Sequence, residues 1–277
     1  MGTRFQEWEF NNRYKEFLMR EWILTEKVGD LATVVLNRPD KFNALTKEMW
    51  GMLGNTIGAL SRDESLRGII IRGAGDKSFS PGNDIAEFKT DRFDSESAKA
   101  YGALMHGTLR TLSQCPVPTV AMIHGICVGG GMEIAGACDI RICGESSRFG
   151  APINTLGLVM AYPELSHLRE LVGKKRALEI LLEGKLFGAA EAKEMGIVTR
   201  VVADVNVESE SKATARNIAD GAPLVARWHK NFLNRLDDST ELTEEELDEG
   251  FACYDTEDFA IGYNAFLAKT RPRFKGR

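Results

Sequence analysis

Short apolar runs alternate with longer amphipathic stretches along residues 21–204. Runs rich in valine and isoleucine predict buried strands, and the stretches with a helical period predict helices. Strands are predicted at 22–28, 32–37, 67–72, 119–124, 139–143 and 198–202. Helices are predicted at 46–61, 95–113, 163–172, 175–183 and 189–195, and one more after the glycines at 129–131. Because strands that alternate with helices form parallel sheets with crossover helices, this part of the chain is predicted to be α/β.

The remainder of the chain has a helical pattern only. Helices are predicted at 207–220, 224–236, 241–254 and 257–269. We therefore divide the chain into an N-terminal arm of uncertain role at 1–20, an α/β core at 21–204 and a helical C-terminal region at 205–277. The arm contains five aromatic residues and several acidic ones, without the apolar stretch of a secretory signal.

The composition narrows the class of protein. The chain has 277 residues, 43% of them hydrophobic, and a net charge of −5, which gives no general attraction to nucleic acid or to an anionic membrane. No apolar run reaches the ~18 residues that a transmembrane helix needs. The five cysteines lack any CxxC spacing, so we expect reduced, mostly buried thiols in a cytoplasmic protein without a zinc site.

Three segments are similar to familiar motifs, but each lacks a residue that its motif requires. GAGDKS at 73–78 lacks the third glycine of a dinucleotide-binding loop, and GKK at 173–175 lacks the first glycine and the hydroxyl of a P-loop. GESSR at 144–148 ends in arginine where a nucleophile elbow needs glycine. The four histidines are scattered, and of these His124 and His167 are the two that we retain as candidates for function.

Two segments rich in small residues each follow a strand and lead into a helix. They are SFSPGNDIAEF at 78–88 and HGICVGGGMEIAGACDIRI at 124–142. Each presents free N–H groups at a helix N-terminus, and two such segments can place two donors on one carbonyl oxygen. Glu133 lies just after the glycines, where it either stabilises the helix dipole or serves as a general acid/base.

These two segments resemble those of the crotonase (enoyl-CoA hydratase/isomerase) superfamily. Further matches are NRPDKFNALT at 37–46, FGAPINTLGL at 149–158, the stretch at 171–202 and FLAKTRPRF at 266–274. The resemblance implies an α/β fold made of a crotonase-like spiral of ββα units, with an all-helical C-terminal trimerisation region. It also implies a homotrimer or dimer of trimers that acts on an acyl-CoA in fatty acid metabolism. No cofactor is expected beyond the coenzyme A of the substrate, and no metal.

The resemblance also assigns roles to individual residues. The N–H groups of Asn83 and Gly130 would hold the thioester oxygen, and Glu133 would be the acid/base. A thioester fits this arrangement, because proton removal beside its carbonyl places negative charge on oxygen, where preorganised donors stabilise it. The positions expected to contact coenzyme A or the acyl chain are Lys41, Phe42, Ala44, Ser80, Gly82, Asp84, Ile85, Gly129 and Lys275. Asp84 is equally consistent with helix capping.

The chain departs from the family pattern at one important position. Ile153 stands where hydratases of the family have a second glutamate, and Ala161 stands where some isomerases and dehalogenases have an acid. Glu164 would substitute only if its loop folds inward, and a role as a first-turn helix acid is favoured. A single base suits movement of a double bond better than addition of water, so isomerisation is favoured.

Three alternatives stay open at this stage. The first is a hydratase with a substitute second acid, and the second is a non-catalytic acyl-CoA-binding subunit. Lyase and hydrolase reactions are also possible within the family, since they use the same oxyanion site. Residues 89–113 and 153–167 are expected to form the wall of the acyl pocket, whose shape the sequence does not reveal.

Overall fold

The computed structural model of the chain describes residues 21–277, so the predicted arm at 1–20 lies outside the described residues. Its strands form two sheets, one of six strands and one of four. The strands of the larger sheet are β1 Ile23–Val28, β2 Leu31–Leu36, β3 Gly68–Gly73, β5 Thr119–Ile123, β7 Ile140–Gly144 and β10 Arg200–Val202. The strands of the smaller sheet are β4 Ser78–Ser80, β6 Ile126–Val128, β8 Arg148–Gly150 and β9 Phe187–Gly188.

The α-helices follow these strands in a regular order. They are α1 Lys47–Ser61, α2 Phe88–Asp91, α3 Ser95–Ser113, α4 Gly130–Gly136, α5 Tyr162–Glu183, α6 Ala189–Met195, α7 Val207–Ala219, α8 Pro223–Leu236, α9 Glu244–Glu249 and α10 Glu257–Ala268. Short 3₁₀ helices occupy Pro39–Lys41, Ile85–Glu87, Pro152–Leu156, Asp204–Asn206 and Ala252–Asp255.

The six-stranded sheet has the order β1-β2-β3-β5-β7-β10. β1 and β2 form an antiparallel hairpin, and all the other neighbouring strands of this sheet pair in parallel. Both faces of its centre are covered, which explains the uninterrupted isoleucines of β3. Ile69 and Ile71 face the main core, whereas Ile70 packs in a second cluster with Val207 and Ala215 of α7.

The smaller sheet supplies the second strand of each ββα unit. β4, β6 and β8 follow β3, β5 and β7 within a few residues, and a helix follows each of them. None of these three strands is among the six strands that the sequence pattern predicts. Three-residue strands are too short to show any periodicity, so the ladder that they form is visible only in three dimensions.

The helical C-terminal region differs from its prediction in one helix. The helix expected at 241–254 ends at Glu249, and a 3₁₀ turn at Ala252–Asp255 follows Gly250. In the α/β core, the two helices expected at 163–172 and 175–183 correspond to the two halves of α5, which are separated by a non-helical conformation at Gly173 with φ 74°. The division of the chain at residues 204 and 205 stays a prediction.

The cysteines agree with the expectation from composition. All five cysteines are free thiols, and four of them are buried. No helix in the described range 21–277 is long and apolar enough to cross a bilayer.

The close approach of α4 to β4 gives a test of the fold. A Cβ on Gly131 would lie 2.1 Å from the backbone oxygen of Ser80, whose hydroxyl is itself bound to Asn43 O. We expect Gly131→Ala to lower the free energy of unfolding by about 2 kcal/mol or more, because neither backbone can move freely. Urea denaturation followed by circular dichroism measures this loss.

Gly107→Ala is the matched control for this substitution. Gly107 is exposed in α3, and a Cβ there would meet nothing within 4 Å. Alanine favours the helix over glycine, so the control should gain up to about 1 kcal/mol. An unchanged stability of Gly131→Ala would contradict the packing of α4 on β4.

Candidate functional site

The first component of the site is the backbone of Asn83. Leu45 and Asn83 form a parallel bridge in which Leu45 N–H donates to Gly82 O and Asp84 N–H donates to Leu45 O, both at 2.8 Å. These bonds use the peptide groups on either side of Asn83 and leave its own N–H on the opposite side. That N–H donates to no group in the described part of the chain.

The second component is the N-terminus of α4. Gly130 is the first residue of this helix, so its N–H is one of the four without an intrahelical partner. Gly129 precedes it with φ 51°, a conformation that favours glycine. A Cβ on Gly130 would lie 3.7 Å from Asn83 N, and a Cβ on Gly82 would lie 2.7 Å from Gly130 N. The two amides therefore lie next to each other, as an oxyanion site requires.

Two buried aromatic residues fix the Asn83 side chain. Trp50 Nε1 donates to Asn83 Oδ1 at 2.7 Å, and the Tyr101 hydroxyl lies 3.3 Å from the same oxygen. The indole of Trp50 also lies beneath Gly130, because a Cβ there would meet Trp50 Cζ2 at 3.1 Å. Trp50 is fully buried, so one rigid side chain contacts both segments of the site.

Asn83, Gly130 and Glu133 line a single cavity of about 1010 Å³. Much of its wall comes from the two regions predicted for it, 89–113 and 153–167. Most of the lining is apolar, and the side chains that carry charge or can acquire it are Asp84, Arg92, Lys99, His106, Glu133 and Glu164.

Glu133 projects from the first turn of α4 into this cavity. Its Oε2 atom is buried and has no hydrogen-bond partner among the described residues. Burial and, to a smaller extent, the negative charge of Glu164 raise the pKa of the Glu133 carboxyl to about 8, and Arg92 opposes the shift. The carboxyl is consequently protonated near neutral pH, which suits a group that delivers a proton.

Glu164 lies in the same cavity, so its loop does fold inward. It also occupies the first turn of α5, where Oε2 accepts from Ala161 N–H at 2.5 Å, as a helix acid would. Its other oxygen, Oε1, lies 3.1 Å from His106 Nε2, and the residue is 8% exposed. The sequence offered capping and an inward position as alternatives, and the structure combines them.

The remaining acid of the cavity is neutralised. Asp84 Oδ2 accepts from Arg38 Nη1 at 2.7 Å, and Oδ1 accepts from Ala86 N–H at 3.0 Å. Burial by itself would raise the pKa of Asp84, but the hydrogen bonds from Arg38 and Ala86 outweigh it and leave the pKa lowered. Asp84 therefore caps the turn Ile85–Glu87 and stabilises the loop that carries Asn83.

The other predicted contact residues divide into two groups. Ala44, Ile85 and Gly129 line the cavity together with Asn83, Asp84, Gly130 and Glu133. The residues that do not line it are Lys41, Phe42, Ser80, Gly82 and Lys275. Their roles in substrate binding stay predictions.

Each residue of the second group has an identifiable environment. Lys41 and Phe42 are exposed beside Ala44, and Lys41 acts electrostatically on Asp84. Ser80 is buried, and its hydroxyl accepts from Gly82 N–H at 3.1 Å. Lys275 lines a separate cavity of about 600 Å³, and its Nζ lies 2.9 Å from Glu257 Oε2.

Several site residues were not identified from the sequence. His106, not His124 or His167, is the histidine that lines the cavity. The helical period of α3 carried a usable signal, because Ala98, Gly102, Met105 and His106 share one face of that helix. Within residues 21–277, no group of three or more His, Cys, Asp or Glu side chains is arranged to hold a metal ion.

Comparison with known proteins is consistent with this architecture and site. The sequence model of the enoyl-CoA hydratase/isomerase family matches residues 26–277. A short-chain-enoyl-CoA hydratase from Clostridium acetobutylicum is 33% identical over 260 residues, which cover 92% of this chain and 98% of that protein. A crotonyl-CoA hydratase from Syntrophomonas wolfei is 32% identical, with 92% of this chain and 98% of that protein covered.

Solved structures agree in fold. The crystal structure of an enoyl-CoA hydratase/carnithine racemase from Magnetospirillum magneticum superposes with a TM-score of 0.91 at 49% identity, covering 93% of this chain and 97% of that one. The two sheets and the helices thus form a crotonase fold, as the sequence resemblance predicted. The chain belongs to the enoyl-CoA hydratase/isomerase family of acyl-CoA enzymes.

The buried state of Glu133 gives a prediction about stability and pH. Its folded pKa lies above its ordinary value near 4.5, so between about pH 4.5 and pH 8 the folded chain holds a proton that the unfolded chain has released. This group therefore stabilises the fold less as pH rises through that window. Glu133→Gln removes the effect, and its stability relative to the natural chain should increase from pH 5 to pH 8 by up to about 1.4 kcal/mol per pH unit.

Melting curves of both proteins at several pH values measure this difference. Glu170→Gln is the control, because Glu170 is exposed on α5 and lies outside the cavity. Its stability difference from the natural chain should not follow this pH dependence. A difference for Glu133→Gln that is flat or decreases with pH would show that the carboxyl is ionised in the folded protein.

Proposed function

We propose that the chain hydrates 2-enoyl-CoA thioesters, with Glu133 and Glu164 sharing the proton transfers. The observation that carries this proposal is that both carboxyl groups line one apolar cavity beside the paired amides of Asn83 and Gly130. Addition of water requires a base that takes a proton from water and an acid that delivers a proton to Cα. Glu164 supplies the second carboxyl that Ile153 lacks.

The amides supply the electrostatic part of the mechanism. Attack of water at Cβ pushes electrons toward the thioester, and the developing negative charge settles on the carbonyl oxygen. The N–H groups of Asn83 and Gly130 would donate to that oxygen, and one such donor is worth roughly 3 kcal/mol of transition-state stabilisation. Since the donors are fixed by the Leu45 bridge and by α4, little reorganisation is needed during the reaction.

The two acids have different environments, which suggests their roles. Glu133 is protonated near neutral pH and has a buried oxygen without a partner, so it would deliver the proton to Cα. Glu164 is oriented by Ala161 N–H and His106, so it would accept a proton from the attacking water. The water oxygen bonds to Cβ as its proton passes to Glu164, and the enolate collapses when Glu133 protonates Cα. Loss of the proton from Glu164 to solvent and uptake of one by Glu133 would then restore both acids.

Double-bond isomerisation is the second candidate, and one observation favours it. Both oxygens of Glu164 already have hydrogen-bonding partners. Oε2 of Glu133, in contrast, has no hydrogen-bonding partner among the described residues. In a one-base reaction, Glu133 alone would move a proton between Cα and Cγ. The sequence favoured this reaction because Ile153 is not acidic, and the inward position of Glu164 weakens that reason.

A homo-oligomer, a trimer or a dimer of trimers, is part of the same proposal. The C-terminal helices expose large apolar side chains that a partner subunit would cover, among them Leu233, Leu236, Phe251, Tyr254, Phe266 and Leu267. A cytoplasmic location remains a prediction from composition.

Two substrates and two variants separate the candidate reactions. We expect crotonyl-CoA to be hydrated, with Glu133→Gln and Glu164→Gln each lowering kcat/KM for hydration by about 10²- to 10⁴-fold. For a 3-enoyl-CoA substrate, Glu133→Gln should abolish isomerisation, while Glu164→Gln should change it less than tenfold if Glu133 acts alone. Loss of the absorbance of the conjugated thioester measures hydration, and its appearance measures isomerisation.

Glu170→Gln serves again as the control and should behave like the natural chain. Hydration at the natural rate by Glu164→Gln would exclude the two-acid mechanism. If the natural chain binds crotonyl-CoA in calorimetry but transforms neither thioester, the function is that of a binding subunit.

A further inference from the structure

Arg92 is a cation inside the acyl side of the cavity. It follows α2 directly and lines the cavity together with Phe88, Met105 and Glu133. Its guanidinium carbon lies 4.6 Å from the centre of the Phe88 ring and 4.8 Å from that of Tyr101. Cation–π contacts with two rings hold the guanidinium in place and leave its N–H groups available to a planar acceptor.

No acceptor for this guanidinium is found in residues 21–277. Arg92 forms no hydrogen bond or ion pair there, and its Nε is buried without a partner. Arg92 as a whole is half-buried, so its guanidinium loses part of its hydration without a protein acceptor to replace the lost water. The unpaired N–H groups point to an acceptor that arrives with the ligand.

The other charged side chains of the cavity do not supply that acceptor. Asp84 pairs with Arg38, and Glu164 contacts His106. Glu133 has no ion pair with Arg92 within 4.0 Å, and its carboxyl is protonated near neutral pH. Lys99 is exposed, so water solvates its charge. Arg92 is therefore the half-buried, unpaired cation of a mostly apolar cavity.

From this arrangement we infer that the acyl group of the substrate carries a carboxylate at its far end, which binds Arg92. The inference rests on the proposed function for the position of the thioester between Asn83 and Gly130. Guanidinium and carboxylate form two parallel N–H···O bonds, and this geometry selects a carboxylate over an uncharged alkyl group of similar size.

Tyr101 connects the two ends of the proposed acyl site. Its ring contacts Arg92, and its hydroxyl lies 3.3 Å from Asn83 Oδ1. The side chain of one tyrosine thus extends from the oxyanion site to the cation. Tyr101 is itself buried outside the cavity, so it indicates the separation of the two ends, which a short dicarboxylic acyl chain in the cavity would span with Glu133 beside its reactive carbons.

Binding of saturated thioesters tests this inference independently of the reaction. Succinyl-, glutaryl- and adipyl-CoA are compared by calorimetry with thioesters of equal length in which an isopropyl group replaces the terminal carboxylate. We expect at least one dicarboxylic thioester to bind about tenfold to a hundredfold more tightly than its uncharged counterpart. Arg92→Met should remove this preference, while Arg92→Lys should retain part of it.

Lys99→Met is the matched control, since it removes the other cation that lines the cavity and should leave the preference intact. Equal binding of charged and uncharged thioesters by the natural chain would overturn the inference without any variant. An equal loss of affinity in Arg92→Met for all thioesters and for free coenzyme A would assign Arg92 to coenzyme A instead, and would also overturn it.

Turnover separates this inference from the proposed function. With the unsaturated forms of the same thioesters, kcat/KM should favour the carboxylate in the natural chain and lose that preference in Arg92→Met. Hydration of the uncharged thioester with no preference for the carboxylate would leave the proposed function standing and reject the role of Arg92. Tight, Arg92-dependent binding of the dicarboxylic thioesters without turnover would support the role of Arg92 and reject the proposed function.

Discussion

The hydrogen bond from Trp50 to Asn83 is the interaction on which the arrangement of the site depends. The two amides belong to different ββα units, and nothing in either local sequence fixes the distance between them. Trp50 joins them, because its Nε1 donates to Asn83 Oδ1 while its ring lies under Gly130. A buried Trp N–H without an acceptor would destabilise the fold. This hydrogen bond therefore fixes both the loop that carries Asn83 and the orientation of the indole. The glycines at 82 and 131 then permit the backbones to approach within contact distance.

Much of the fold could be predicted from the sequence, because its main elements are long or fully buried. The helices expected at 95–113 and 189–195 match Ser95–Ser113 and Ala189–Met195, and the helix expected at 46–61 is α1, with Thr46 as its N-cap. The smaller sheet was missed, since its strands have two or three residues and their stability comes from pairing with distant segments. The helix expected at 241–254 ends before Gly250, and a 3₁₀ turn follows, although residues that favour helices lie on both sides of this glycine.

The site was predictable where backbone geometry defines it, and less so where side chains from separate elements meet. The paired amides follow from two motifs that each place a strand, small residues and a helix in order. Glu164 was identified only as an alternative, since its first-turn position in α5 explains it without any cavity. Arg92 carries no local signature, and the helical period of α3 indicates only which face of the helix His106 shares. What distinguishes both residues is the environment that the folded chain gives them. A resemblance to a family therefore predicts the roles of backbone groups more readily than it predicts which side chains meet in the cavity.

The charges of the cavity link recognition of the acyl group to the strength of the acid. Arg92 opposes the rise in the pKa of Glu133, so a free guanidinium makes this carboxyl a stronger acid than burial alone would. A substrate carboxylate on Arg92 would cancel that positive charge and favour the protonated form of Glu133. Binding of the charged acyl end would thus prepare the proton donor at the same time as it places Cα beside it. Because Glu133 is already protonated near neutral pH, this coupling would matter most above about pH 8, where an uncharged acyl chain would leave more of the acid ionised.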